Sequence, residues 1–454
     1  MNDAEIASLI RTSSERTINY LTGLNARGVA PSSGAIAGLQ AFDEPFPERA
    51  NSAEETLALL DEIGSPATMA STGGRYFGFV NGAVLPASFA AHMLATAWDQ
   101  NAALSAMSPV ASKLRSVVSR WIVDALGLPA GAEAMFVGGA TVANLCGLAA
   151  GRDHVLAQAG WDVAGDGLIG APPVTVIIGE HAHSTIAKSL SIIGLGRNRV
   201  HVVPSDEQGR MLAAKLPDID GPSIVVTQAG ELNTGAFDPF PEIIDWARQR
   251  NSWVHVDGAI GLWAAASPTR RHLTEGMNGA DSWATDGHKW LNVPYDSGII
   301  VMRNVAHLRP SMSARAGYLP EGDLDPMHHT PQSSQRARAI DAWAALRTLG
   351  RAGLAALVDR CSDHALRFAA GLRAAGVEVL NEVVINQVLV SFGDDDATDR
   401  VIDHIQRSGE CWCGGTLWKG QRAMRISVSS WATTVEDVDR SLVAIIAAKE
   451  TCGG

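Results

Sequence analysis

The chain has 454 residues, of which 46% are hydrophobic and 19% charged. This composition supports a sizeable buried core and argues against long disordered stretches. The net charge of −12 without a basic stripe excludes a nucleic-acid backbone as the expected partner. No apolar run is long enough to cross a bilayer, and the acidic N-terminus lacks the pattern of a secretory signal.

The cysteines give no sign of a disulfide framework or a metal site. Their number is odd, and Cys411-Trp-Cys413 has no second ligand cluster at zinc-like spacing. We therefore expect reduced thiols, no metal and a cytoplasmic location.

Residues 1–84 are predicted to form a helical N-terminal segment. Ser52-Ala-Glu-Glu55 has the spacing of a capping box, and Gly64 is expected to end the helix that follows. The segment alone can bury little apolar surface, so we expect it to pack on a larger domain.

The next informative feature is a glycine turn, Phe136-Val-Gly-Gly139-Ala-Thr141, that runs into a helical pattern. Such a turn presents free backbone N–H groups and the positive end of a helix dipole, both of which suit a phosphate. An ordinary turn before a helix is the alternative, since the turn matches neither a Walker A loop nor a dinucleotide fingerprint.

Short runs rich in β-branched residues then alternate with helical patterns. This alternation predicts an α/β domain at residues 85–340, with a mostly parallel central sheet flanked by helices. A long helix after Ala339 and two later strands predict a smaller C-terminal α+β domain at residues 341–454. The predicted strands are Val174–Ile178, Arg199–Val203, Ser223–Thr227, Trp253–Val256, Gly298–Val301, Val388–Phe392 and Met424–Val428.

Two charged residues follow this pattern at positions that could carry chemistry. Asp257 ends an apolar strand, and Lys289 follows 32 residues later, between His288 and Trp290. Partial burial would lower the pKa of the lysine amine and leave part of it nucleophilic. Such a pair suits pyridoxal phosphate, whose aldehyde forms a Schiff base with lysine and whose ring nitrogen pairs with a carboxylate. The alternatives are a surface lysine and an aspartate that caps a helix or pairs with an arginine.

Two strings, His255-Val-Asp-Gly-Ala259 and Asp286-Gly-His-Lys-Trp-Leu-Asn292, resemble the group II pyridoxal-phosphate decarboxylases. That family includes aromatic amino acid, glutamate and diaminobutyrate decarboxylases, and the resemblance covers about residues 75–440. It implies a fold-type I enzyme that converts an L-amino acid to the amine and carbon dioxide. It also implies a homodimer with active sites between the subunits and no membrane partner.

The resemblance assigns roles to individual residues. Lys289, Asp257 and His183 would be catalytic, with His183 stacked on the pyridine ring opposite Ala259. Asp286 stands where relatives often have asparagine. The implied cofactor-binding residues are Ala140, Thr141, His183, Asn233, Asp257, Ala259, Asp286, His288 and Lys289.

The substrate side is implied by three weaker matches. Phe79, Val80 and Asn81 resemble the family's pocket wall, although an aromatic cluster in the core is the alternative. Ser334 lies in a segment that resembles one donated across the dimer interface. His328 or His329 could protonate the carbanion in place of a loop tyrosine, and two surface histidines are the alternative. The only tyrosine of that shorter loop is Tyr318.

Two other functions stay open from the sequence. A lyase, aldolase or aldehyde synthase would use the same cofactor to break another bond or divert the carbanion. A non-catalytic relative would keep the fold as a binding module. The sequence does not identify the amino acid substrate.

Overall fold

The computed structural model describes residues 2–313 and 324–452. The α-helices in these ranges are α1 Asp3–Gly23, α2 Ser33–Gly38, α3 Ala53–Leu59, α4 Ser65–Ala67, α5 Pro86–Trp98, α6 Pro109–Ala125, α7 Ala140–Gln158, α8 Val163–Asp166, α9 Ser184–Ile192, α10 Phe240–Gln249, α11 Arg309–Met312, α12 Arg338–Ala374, α13 Asp395–Ser408 and α14 Val435–Cys452. The strands are β1 Glu133–Val137, β2 Thr175–Gly179, β3 Val200–Val203, β4 Ser223–Gln228, β5 Trp253–Asp257, β6 Ser282–Asp286, β7 Gly298–Met302, β8 Glu378–Val379, β9 Gln387–Ser391, β10 Gly414–Trp418 and β11 Gln421–Ser427.

The central sheet has seven strands in the order β1-β7-β6-β5-β4-β2-β3. Only β7 runs against its neighbours β1 and β6, and the other pairs are parallel. This topology confirms the predicted fold class. The sequence did not predict β1 and β6, because Glu-Ala-Met-Phe-Val and Ser-Trp-Ala-Thr-Asp lack a run of β-branched residues.

The sheet is buried on both faces, as its apolar strands predict. Along β4, Ile224 and Val226 pack in one hydrophobic cluster and Val225 packs in another. Adjacent residues of a strand point to opposite faces, so helices cover both sides of the sheet.

The residues predicted to carry the chemistry lie together at the edge formed by the carboxyl ends of the parallel strands. β5 ends at Asp257 and β6 at Asp286, and the glycine turn follows β1, which runs in the same direction as β6. In sheets of this kind ligands bind beyond the carboxyl ends of the strands.

Outside the central sheet, most of the expected elements are present. Helix α3 begins with the predicted capping box of Ser52 and Glu55, but the expected end at Gly64 is wrong, because a π-helical turn at Leu60–Gly64 leads directly into α4. A long helix, α12, precedes an antiparallel sheet in the order β10-β11-β9-β8. The domain boundaries at residues 84 and 340 stay predictions. Among the described residues, no helix has the length and apolar character needed to cross a membrane.

Candidate active site

A cavity of about 360 Å³ lies at the carboxyl edge of the central sheet. It brings together the three residues predicted to be catalytic and most of those predicted to bind the cofactor. The predicted residues that line it are Ala140, Thr141, His183, Asp257, Ala259, Asp286, His288 and Lys289.

Lys289 lies at the cavity wall directly after β6. Its side chain is 18% exposed, and Nζ is 3.2 Å from Oδ2 of Asp286. The next residue, Trp290, is fully buried and anchors the segment in the core. The amine therefore reaches the cavity from a fixed backbone, as covalent attachment of a cofactor requires.

Asp257 also lines the cavity, where it is buried at the end of β5. Burial raises the pKa of its carboxyl group, and the nearby His183, the Ala259 N–H, the nearby Lys289 and the Asn144 amide oppose that shift. The Ala259 N–H and the Asn144 amide donate to its oxygens at 3.1 Å each. Within residues 2–313 and 324–452, Asp257 forms no ion pair. A protonated ring nitrogen would supply the missing cation.

The glycine turn forms the third side of the cavity. Gly139 has φ 129° and precedes α7 without a side-chain cap, and the first helical residues, Ala140 and Thr141, line the cavity. The Ala140 N–H donates to Oδ1 of Asp286 at 2.7 Å. Nε2 of His288 is 3.6 Å from the same oxygen, so an N–H group and an imidazole converge on one anionic oxygen.

His183 caps α9 at the cavity wall. Its Nδ1 accepts from the Thr185 N–H at 3.3 Å, which leaves the proton of a neutral ring on Nε2. Burial lowers the pKa of His183, although the nearby Asp257 carboxylate opposes this. A neutral, half-buried imidazole can pack flat against an aromatic ring.

The lining residues fit pyridoxal phosphate. The volume lies within the range of about 300–1,000 Å³ that is typical of small-molecule sites. Anion-binding groups, an amine and a buried carboxylate that forms no ion pair in the described ranges line it. The Asp286 carboxylate already uses the Ala140 N–H, so a phosphate that binds this N–H must displace it.

The structure does not place Asn233 at the cavity. The Asn233 backbone N–H and side-chain amide both donate to Glu231, and Thr416 donates to its Oδ1 at 2.8 Å. From the same turn, Gly230 and Leu232 line the cavity instead.

The predicted substrate residues 79–81 do not line the cavity directly. Phe79 is 63% exposed and stacks on Trp412. Val80 is fully buried with φ 60°, a strained conformation for a β-branched residue. Oδ1 of Asn81 accepts from the Tyr295 hydroxyl at 2.7 Å. Asn81 therefore contacts a residue of the cavity wall.

The two loop histidines are buried, so the alternative of two surface histidines is wrong. His328 is 3% exposed and His329 is 1% exposed. Nδ1 of His329 donates to the Asp325 carbonyl at 3.0 Å. Neither histidine lines the cavity of this chain, and Ser334 is exposed. Tyr318 lies outside the described residues.

Several residues of the site were missed from the sequence. Thr185, Gln228, Tyr295 and Asp296 line the cavity, and Asn144 holds the Asp257 carboxylate. The spacing of Asn144 offers a signal in retrospect, because it lies one helical turn after Ala140 and therefore on the same face of α7.

Comparison with known proteins identifies sequences and folds similar to this chain. The family model described as "Pyridoxal-dependent decarboxylase conserved domain" matches residues 39–393. An L-2,4-diaminobutyrate decarboxylase of Rhizobium meliloti (strain 1021) is 29% identical over 78% of this chain and 73% of its own length. One from Acinetobacter baumannii is 26% identical over 78% and 74%.

Solved structures share the whole fold. The structure of Oryza sativa TDC with PLP and tryptamine superposes with a TM-score of 0.92 at 20% identity, over 99% of both chains. Mouse CSAD superposes with a TM-score of 0.91 at 19% identity, over 98% of this chain and 99% of its own.

Proposed function

This chain belongs to the family of pyridoxal-dependent decarboxylases, and on that premise we propose which of its residues do the chemistry. It decarboxylates an amino acid, and its cofactor is pyridoxal 5′-phosphate. In our proposal, Lys289 attaches the cofactor, Asp257 pairs with its ring nitrogen, and the turn at residues 138–141 binds its phosphate. The observation that carries the proposal is the single cavity that all three share.

When bound, pyridoxal phosphate supplies an electron sink for the negative charge left at Cα as carbon dioxide departs. Asp257 would keep the ring nitrogen protonated, and its burial would strengthen that pairing. His183 would pack against the ring. Leu232 and Ile260 give the cavity an apolar wall that excludes water and favours loss of a carboxylate.

Lys289 also serves as the proton donor to Cα after carbon dioxide has left. Lys289 lines the cavity, and its Nζ lies 3.2 Å from Oδ2 of Asp286. The buried histidines 328 and 329 do not line the cavity of the same chain, so within one chain the proposal assigns this role to Lys289.

The proposal includes a homodimer in which Ser334 approaches the partner's cofactor. Large apolar side chains are exposed on α1 and α5, as at a subunit interface. They are Ile6, Ile10 and Ile18 on α1 and Met93, Leu94 and Trp98 on α5.

We also place the protein in the cytoplasm, because its cysteines carry free thiols.

The reaction is tested with cofactor-loaded protein and a panel of amino acids that includes 2,4-diaminobutyrate and the aromatic amino acids. We expect at least one of them to give carbon dioxide and the corresponding amine in equal amounts, measured by gas release and chromatography. An aldehyde, or a keto acid without carbon dioxide, would point to a different reaction. No turnover across the panel would contradict the proposal.

The charge of Asp286 gives a separate prediction about cofactor affinity. Its carboxylate and a phosphate compete for the Ala140 N–H, so Asp286→Asn should bind the cofactor more tightly by roughly tenfold. The measurement is a fluorescence titration of cofactor-free protein with pyridoxal phosphate. Asp281→Asn is a matched control. It removes the same charge, but Asp281 immediately precedes β6, whereas Asp286 ends that strand. Weaker binding by Asp286→Asn would show instead that Asp286 holds the cofactor in place.

A further inference from the structure

A chain of hydrogen bonds runs through the core and ends on Asp257. Nε1 of Trp253 donates to Oγ of Ser282 at 3.1 Å, and Oγ of Ser282 lies 2.8 Å from Nδ1 of His255. Nε2 of His255 lies 2.9 Å from Oδ1 of Asn144. Nδ2 of Asn144 then donates to Oδ2 of Asp257 at 3.1 Å.

The carboxylate end and a neutral imidazole together fix the direction of these bonds. An ionised carboxylate can only accept, so the Asn144 amide donates to Asp257 and its Oδ1 accepts from Nε2 of His255. A neutral ring with its proton on Nε2 accepts at Nδ1, so the Ser282 hydroxyl donates to Nδ1 of His255. Burial lowers the pKa of His255 to about 3, so the ring is neutral and carries its proton on Nε2. Bonds aligned in one direction polarise one another and favour negative charge at the accepting end.

The residues of this hydrogen-bond chain occupy positions in the core where apolar side chains could otherwise pack. His255, Asn144 and Ser282 are fully buried, and none of them lines the cavity. A Cβ at Gly147 would lie 2.5 Å from Nδ1 and Cε1 of the imidazole, so α7 carries no side chain where the ring packs. Burying an imidazole that makes no hydrogen bonds would cost desolvation free energy, which an apolar ring in the same space would not.

Helix α7 connects this chain of hydrogen bonds to the anion-binding end of the cavity. Ala140 presents its N–H at the anion-binding end, and Asn144, one turn later, holds the Asp257 carboxylate. The same helical face thus positions the groups at both ends of the site.

We propose that Asn144 and His255 are positioning residues that keep Asp257 ionised and oriented toward the ring nitrogen of the cofactor. This inference rests on the proposed role of Asp257. Without the chain, the buried carboxylate would bind a proton more readily, and the ring nitrogen would lose its anionic partner. Decarboxylation would slow, whereas the phosphate end of the site would be unchanged.

The test uses protein loaded with cofactor that is labelled with ¹⁵N in the ring, whose NMR shift reports protonation of the ring nitrogen. Asn144→Leu removes the amide but keeps the size of the side chain. We expect its ring-nitrogen signal to move toward that of Asp257→Asn and kcat to fall by about 10- to 100-fold. The dissociation constant of the cofactor should change by less than about threefold, because the donors at the anion-binding end remain.

Controls separate this inference from the function on which it rests. Asn386→Leu removes another fully buried amide, one that bonds Ser429 away from the cavity, and should leave the signal unchanged. If Asp257→Asn does not move the signal, the proposed role of Asp257 fails, and the inference fails with it. If Asp257→Asn moves the signal but folded Asn144→Leu does not, only the inference is overturned.

Two further measurements cover the case in which Asn144→Leu does not fold. Gly147→Ala places a methyl group against the imidazole without removing a polar group, and it should move the signal in the same direction. In the unaltered holoenzyme, ¹⁵N-labelled histidine should show His255 protonated on Nε2 alone. A proton on Nδ1 instead would reverse the chain and overturn the inference.

Discussion

Replacing Lys289 with alanine should abolish decarboxylation and stable retention of the cofactor together. The amine is the covalent attachment point in our proposal, and it also returns the proton to Cα. Because one side chain carries both roles, kcat should fall by on the order of 10³-fold or more. The visible absorbance of the protein-bound cofactor should disappear after gel filtration.

The control for this variant is Lys188→Ala, which removes an exposed lysine on α9. It should keep both the absorbance band and the activity. A Lys289→Ala protein that retains an unchanged chromophore and normal turnover would contradict the proposed site.

Asp257→Asn should have the second largest effect, with the cofactor still attached. The amide has the size of the carboxylate but no charge, so the ring nitrogen loses the anion that keeps it protonated. We expect kcat to fall by about 10²- to 10³-fold, comparable with the loss of one preorganised electrostatic partner. Steady-state kinetics measure the fall, and the absorbance band confirms that the cofactor is present.

Asp257→Asn should lower activity without lowering the free energy of unfolding. Burial raises the folded-state pKa of Asp257 above that of the unfolded chain, so the folded protein binds a proton at this carboxyl more readily than the unfolded chain does. Its ionisation therefore lowers the free energy of unfolding as the pH rises above the unfolded pKa. Cofactor-free Asp257→Asn should be at least as stable as the unaltered protein at neutral pH, measured by urea denaturation.

The control for the loss of activity is Asp238→Asn. Asp238 is a buried carboxyl outside the cavity, and burial raises its pKa to about 6. This variant should leave kcat of the folded, loaded enzyme within about threefold, because it does not alter an electrostatic partner of the reaction. Equal losses of kcat in both variants would mean that Asp257 acts through the fold alone.

The sequence predicted the part of the site that depends on local pattern. Strands such as Ser223–Thr227 were recognisable from their β-branched residues, and parallel strands bring their carboxyl ends to one edge. That geometry places Asp257 at the edge where ligands bind. Lys289 was paired with it through the chemistry of pyridoxal phosphate and the resemblance of the two strings, because β6 was not among the predicted strands.

Other parts of the site depend on contacts that a local pattern does not contain. Asn233 looks available in the sequence, yet the Glu231 side chain satisfies its amide. The burial of His328 depends on packing between distant segments. Asn144 gains its role only where α7 crosses β5, more than a hundred residues later in the chain.

The most direct measurement of the central claim is the site of covalent attachment. Loaded protein is treated with borohydride, which fixes the cofactor to its lysine, and is then digested and mapped by mass spectrometry. We predict that the reduced cofactor is found on the peptide that contains Lys289. A cofactor fixed to another lysine, or to none while the enzyme is active, would contradict the account.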